Sequence, residues 1–192
     1  MRTRLAAFVG ADADEIAITR STTEGMNIFA HSIDWRPGDE VPMCTHEHPG
    51  GYGAYRTLEA RRGIRIKWID LPTPPQDREE ILDRYRQAMS PRTRLVVASH
   101  ISFVTGLVMP VGELAELAHS QGALLSVDGA LPLGMLSLDL KGLDCDHYAA
   151  SGQEWLLGGT GTGLCFIRRD LQEKIWPLLG FADQEQHASS RL

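Results

Sequence analysis

The chain is poor in lysine, poor in cysteine and without a long apolar run, and each shortage removes a class of explanation. No stretch reaches the roughly 18–20 consecutive apolar residues that a membrane-spanning helix needs, so no membrane partner is expected. Met1-Arg2-Thr3-Arg4-Leu5 has no apolar segment behind it of the kind a secretory leader requires. Cys44, Cys145 and Cys165 are odd in number, widely spaced and without a CxxC pair, so they read as reduced thiols and not as a disulfide frame. The expected location is therefore the cytoplasm. Positive charge is also scarce. Nineteen Lys and Arg against 25 Asp and Glu leave a formal charge of -6, which argues against a nucleic-acid partner, because such a partner selects a basic face. What remains is an ordinary globular composition, 43% apolar and 23% charged over 192 residues, enough for one sizeable core.

Helix and strand patterns alternate from end to end. A short helix is expected over the first residues, followed by a strand at Glu15–Thr19 and a helix from Thr22 towards Ile33. Glu40–Cys44 reads as a strand, Gly51–Arg62 as a helix and Ile64–Leu71 as a β-rich run. Arg78–Met89 carries Ile81, Leu82, Tyr85 and Met89 at helical spacing. Arg94–Ser99 and Ala123–Asp128 are nearly continuous apolar strands, and Val111–Gln121 between them is a helix stopped by Gly122. His147–Ser151 and Gly163–Arg168 complete the strands, and a helix is expected over Asp170–Leu178. Strands apolar on both faces and separated by helices predict a three-layer α/β fold with a mainly parallel sheet. One domain over residues 1–180 and a polar tail over 181–192 are expected. In such sheets ligands sit at the carboxyl ends of the strands.

Several strand ends carry chemistry. Ser21-Thr22-Thr23-Glu24-Gly25 places hydroxyls and free backbone N–H groups at a helix start, which suits a phosphate; an ordinary N-cap uses the same residues. Asp128 closes a buried strand, where a carboxylate must be paired, solvated or functional. A pyridinium N–H would suit it, and so would the next loop's backbone. His46, His48 and His100 also fall at strand ends, as acid/base or ring-stacking groups or as structural hydrogen bonders. The glycine-rich run Gly158–Gly163 lacks the order of a nucleotide loop.

Taken in order, these segments resemble the large domain of class V aminotransferases, the group that holds cysteine desulfurases and isopenicillin-N-epimerase-like proteins. The likeness runs from about Asp12 to Pro177. It rests on Thr-Arg-Ser-Thr-Thr-Glu-Gly-Met-Asn (19–27), Glu47-His48-Pro49-Gly50, the run from Arg92 to His100, Thr105-Gly106, Val127-Asp-Gly-Ala130 and the Ser-Gly-x-x-Trp segment from Ser151. The resemblance implies fold type I, pyridoxal 5'-phosphate as cofactor, an amino acid as substrate, and a homodimer or a complementing chain. It assigns Thr22, Thr23 and Ser151 to the phosphate, His48 to stacking on the pyridine ring, Asp128 to the ring nitrogen, and His100 to the pocket wall.

The same resemblance marks departures. Where the family has His-Lys, this chain has Gln153-Glu154. That lysine forms the imine with the cofactor and moves protons at the substrate α-carbon; glutamate cannot form an imine. Lys67, Lys141 and Lys174 are the only lysines, and none follows the His147–Ser151 strand. Leu131 stands where the family often has glutamine, and Phe103 where desulfurases often have asparagine. The small domain that carries a substrate-binding arginine is expected to be absent. The resulting expectations are a degenerate relative, noncovalent cofactor binding, a partner chain that supplies the lysine, or a repurposed acid/base or metal site at Glu154, Asp128, His48 and His100. No ligand spacing supports a metal there.

Overall fold

A computed structural model describes residues 1–75 and 77–178. Among them α1 (Arg2–Phe8) leads through a 3-10 turn (Ala13–Glu15) into β1 (Ile16–Thr19) and α2 (Thr22–Ser32). Next come β2 (Glu40–Cys44), α3 (Pro49–Arg62), β3 (Arg65–Ile69) and α4 (Arg78–Ala88). The second half holds β4 (Leu95–Ser99), α5 (Val111–Ser120), β5 (Leu124–Asp128), β6 (His147–Ser151), β7 (Gly163–Ile167) and α6 (Arg169–Gln172).

The order in the five-stranded sheet is β1-β7-β6-β5-β4. β4, β5 and β6 run parallel, and β7 is antiparallel to both of its neighbours. β2 and β3 form a parallel pair. They continue the surface beyond β4, where Glu40 bridges to Thr93 in parallel fashion and Arg94 N–H donates to the Glu40 carbonyl at 3.0 Å. The carboxyl ends of β1, β2, β4, β5 and β6 therefore share one edge.

Every residue of β2, β4 and β6 is buried, as expected for strands covered on both faces. Alternation sorts their side chains between two cores. Val96, Ala98, Leu125 and Val127 pack with Leu114, Ala115 and Ala118 of α5 and with Ile81 and Tyr85 of α4. Leu95, Val97 and Ala149 pack with Met26 and Phe29 of α2 and with Ala54, Tyr55 and Leu58 of α3. Each Val, Leu, Ile, Met or Phe side chain so buried contributes about 1.5–3 kcal/mol. The result is three layers around a mostly parallel sheet.

Local signals fix the boundaries. Ser21 Oγ accepts from Glu24 N–H at the start of α2, and Asp77 Oδ1 accepts from Glu80 N–H at the start of α4. Gly122 follows α5 in the left-handed region, φ 72°. The last helix departs from expectation: α6 ends at Gln172 instead of reaching Leu178. Beyond it Trp176 N–H donates to the Ser32 carbonyl at 2.8 Å and Ile175 is buried in the α2–α3 core, so tertiary packing takes the chain away from the helical path. The expected tail, 181–192, lies outside the described residues.

Candidate functional site

The shared strand edge gathers four groups. The first is the start of α2. Ser151, the last residue of β6, accepts from Thr22 N–H through Oγ at 2.9 Å, and its Oγ lies 2.8 Å from Thr22 Oγ1. Both residues are buried, whereas Thr23 is exposed. Gly25 brings this helix onto the sheet: a Cβ there would sit 2.7 Å from Ala149 Cβ. Hydroxyls, N–H groups and the positive end of an 11-residue helix thus meet at one point.

The second group starts α3. His48 caps that helix, its Nδ1 accepting from Gly50 N–H at 3.0 Å. With Nδ1 occupied, the neutral ring carries its proton on Nε2. The ring lies edge-on to Phe103, centroids 5.0 Å apart. Gly50 is packed against Thr23 Oγ1 so closely that a Cβ would collide with it. The two helix starts are therefore in contact, and His48 stands beside the Thr22–Thr23 turn.

The third group is Asp128. Its Oδ1 accepts from Ala130 N–H at 3.0 Å, and its Oδ2 faces α3, where a Cβ on Gly51 would stand only 2.7 Å away. Burial raises its proton affinity, the Ala130 N–H lowers it, and nearby His48 lowers it further. No cationic side chain pairs with Asp128 among the described residues. A buried carboxylate in this state is costly unless a cation or proton donor meets it.

The fourth group was not singled out from sequence. Glu47, next to His48, is buried, and its carboxylate accepts from Ser99 N–H at 3.0 Å and from Ser99 Oγ–H at 2.6 Å. Ser99 pairs across the sheet with Asp128. Burial pushes the Glu47 carboxyl up to about 7; the two Ser99 bonds oppose this, and the Asp128 charge adds to it. The available signal was a glutamate between two histidines just after the strand Glu40–Cys44, whose last four residues are apolar.

His100 follows β4 at the same edge and is buried to the same degree as Asp128 and Ser151. Its Nδ1 is 3.0 Å from Tyr148 Oη, and its backbone N–H donates to the Asp128 carbonyl. Burial lowers its pKa to about 4, so the ring is neutral near pH 7. Glu154 sits in the exposed turn after β6, where its carbonyl accepts from Leu157 N–H at 3.1 Å. Its neighbour Gln153 accepts from Gly161 N–H at 3.0 Å, tying the turn to the glycine-rich run. Lys67 is exposed within β3, Lys141 pairs with Asp12 at 2.6 Å and Lys174 follows α6. Among the described residues no three His, Cys, Asp or Glu side chains form a group able to hold a metal ion.

A sequence profile described as Aminotransferase class-V matches residues 1–190. The chain is 35% identical over 176 residues to isopenicillin N epimerase of Streptomyces clavuligerus, covering 92% of this chain and 44% of that protein. It is 36% identical over 184 residues to a cysteine desulfurase of Enterobacter sp., covering 94% and 44%. Among solved structures, the cysteine desulfurase CsdA of Escherichia coli superposes with TM-score 0.86 at 29% identity, covering 95% of this chain and 46% of that one. A lysine-to-alanine mutant of C-DES, with glycine covalently linked to its PLP cofactor, superposes with TM-score 0.85 at 32% identity, covering 92% and 46%. This chain thus spans under half the length of these relatives. By sequence profile, fold and the residues gathered at its strand ends, the chain belongs to the class V aminotransferase family.

Proposed function

We propose that this chain binds pyridoxal 5'-phosphate or its amine form without a covalent bond, in a site inherited from enzymes acting on amino acids. One observation carries the reading: Asp128 is buried with no cationic partner among the described residues, and its Oδ2 approaches α3 so closely that residue 51 has room for no Cβ. A protonated pyridine nitrogen satisfies such a carboxylate. The start of α2 with Thr22, Thr23 and Ser151 suits the phosphate, and His48 suits the ring face or edge. The noncovalent contacts of the cofactor therefore fit.

The covalent contact does not fit. Position 154 offers a carboxylate in place of an amine, and none of the three lysines lies on the loops that carry Thr22, His48, Asp128 and Ser151. When bound, the cofactor supplies an electron-accepting ring. Asp128 holds a proton at the ring nitrogen, the α2 N–H groups and hydroxyls orient the phosphate, and His48 presents Nε2–H. The chain lacks the amine that carries a proton to and from a substrate α-carbon, which supports impaired catalysis by this polypeptide alone.

A second reading, an interaction protein or one half of a composite site in a dimer, draws on the exposed Phe103, Val104, Trp155 and Leu157 in loops that follow β4 and β6. Titration of the full chain with pyridoxal phosphate, followed by tryptophan fluorescence, separates the two. Saturable quenching that Asp128→Ala weakens at least tenfold supports the cofactor reading. An identical response from both chains refutes it.

A further inference from the structure

Asp128 is not the only buried carboxylate at this edge of the sheet. Glu47 lies behind it, fastened to Ser99 by both the backbone N–H and the hydroxyl, and Ser99 is the cross-strand partner of Asp128. No Lys or Arg pairs with either carboxylate among the described residues. Two acids held this way form a negative floor under whatever meets Asp128. We propose that Glu47 is a positioning residue for the ring-binding aspartate: its ionised carboxylate strengthens the hold of Asp128 on a protonated pyridine ring, so binding of that ring follows the charge of Glu47. The proposal rests on the reading that Asp128 meets the ring nitrogen.

The groups facing Glu47 identify which charge can change. Cys44 at the end of β2, Tyr55 of α3 and Tyr85 of α4 surround it, and Asp128 of β5 lies across Ser99. Burial pushes the Cys44 thiol up to about 12 and raises both tyrosines, so all three are neutral between pH 5 and 8. Asp128 in turn faces His48 and Tyr148. Tyr148 is also raised by burial. This leaves Glu47 and Asp128 as the two local carboxyls whose proton affinity burial raises, with the His48 ring beside Asp128, and altering Glu47 alone leaves Asp128 and His48 chemically in place. Glutamine at position 47 keeps the shape and the bond from Ser99 N–H to Oε1, removes the charge, and reverses the second bond, with Nε2 donating to Ser99 Oγ.

The test uses the full chain and pyridoxine 5'-phosphate, which has the ring and phosphate but no aldehyde, so lysine chemistry plays no part. Affinities of wild type and Glu47→Gln are measured by calorimetry from pH 5.5 to 8. The ratio of their dissociation constants is expected to rise from near unity at the acidic end to roughly tenfold at pH 8. An analogue with C–H in place of the ring nitrogen is expected to show no such rise. Ser99→Ala, which removes one donor to Glu47, is expected to move the inflection of the binding profile to higher pH, and it serves if Glu47→Gln does not fold. A ratio that is flat with pH, at unity or at any other value, overturns the proposal. Failure of wild type to bind pyridoxine phosphate at any pH overturns the cofactor reading and the proposal with it.

Discussion

Replacing Glu47 by glutamine should remove a loss of stability that this protein suffers as pH rises towards and past neutral. In the folded chain burial raises the Glu47 carboxyl from the ordinary 4.5 to about 7. The native state therefore binds more protons than the unfolded chain between about pH 4.5 and 7. Stability is fully present below the unfolded value and is lost as pH rises through the folded one. At about 1.4 kcal/mol per tenfold change in proton concentration, the full loss is about 3 kcal/mol, of which about 2–3 falls between pH 5 and 8. Glutamine does not titrate. Urea unfolding of both chains, followed by tryptophan fluorescence at several pH values, measures the difference directly. The stability of Glu47→Gln relative to wild type should improve by about 2–3 kcal/mol from pH 5 to pH 8. Parallel stability curves would refute the reasoning, because they would mean that Glu47 is as ionised in the native state as in water.

Three other outcomes bear on the architecture and the site. A Cβ on Gly129 would fall within the ring of Tyr148, which is fully buried and bonded to His100; Gly129→Ala should cost about 3 kcal/mol, or roughly 6–12 °C in Tm by calorimetry, and an unchanged Tm would mean that β5 and β6 pack differently. Gln153→His with Glu154→Lys should tighten pyridoxal phosphate binding by removing a negative charge and adding an amine; no gain in the fluorescence titration would place residue 154 away from the site. The exposed Phe103, Val104, Trp155 and Leu157 predict association of the chain, and sedimentation of a monomer at all concentrations would count against it.

Much of the fold was legible because its signals are local. Ser21, Asp77 and Gly122 announce helix ends with side chains or backbone freedom that work within four residues. β2 and β6 show themselves as short runs at the expected positions, Glu40–Cys44 and His147–Ser151. The end of α6 was not legible. Leu171 and Ile175 have helical spacing and both anchor into the α2–α3 core, yet only Leu171 lies in α6; the helix ends before Ile175. The same division holds at the site. Asp128 and the Ser21–Gly25 turn could be read from strand-end position alone. The position of His100 at a strand end is equally local, but its hydrogen-bond partner Tyr148, 48 residues away, is a tertiary fact. Glu47 belongs to the Glu47–Gly50 motif and lies between two histidines, but its role is not legible there because Ser99, which satisfies it, is 52 residues further on. The close approach of α3 to Asp128 at Gly51 is likewise a tertiary fact.

Most depends on the proposal that no imine-forming amine serves the Asp128 site, whose other groups suit pyridoxal phosphate. Saturating the chain with the cofactor, reducing with borohydride and mapping adducts by mass spectrometry tests this directly. The account predicts only scattered, substoichiometric labelling of surface amines. One equivalent on a single lysine, abolished by Asp128→Ala, would contradict it.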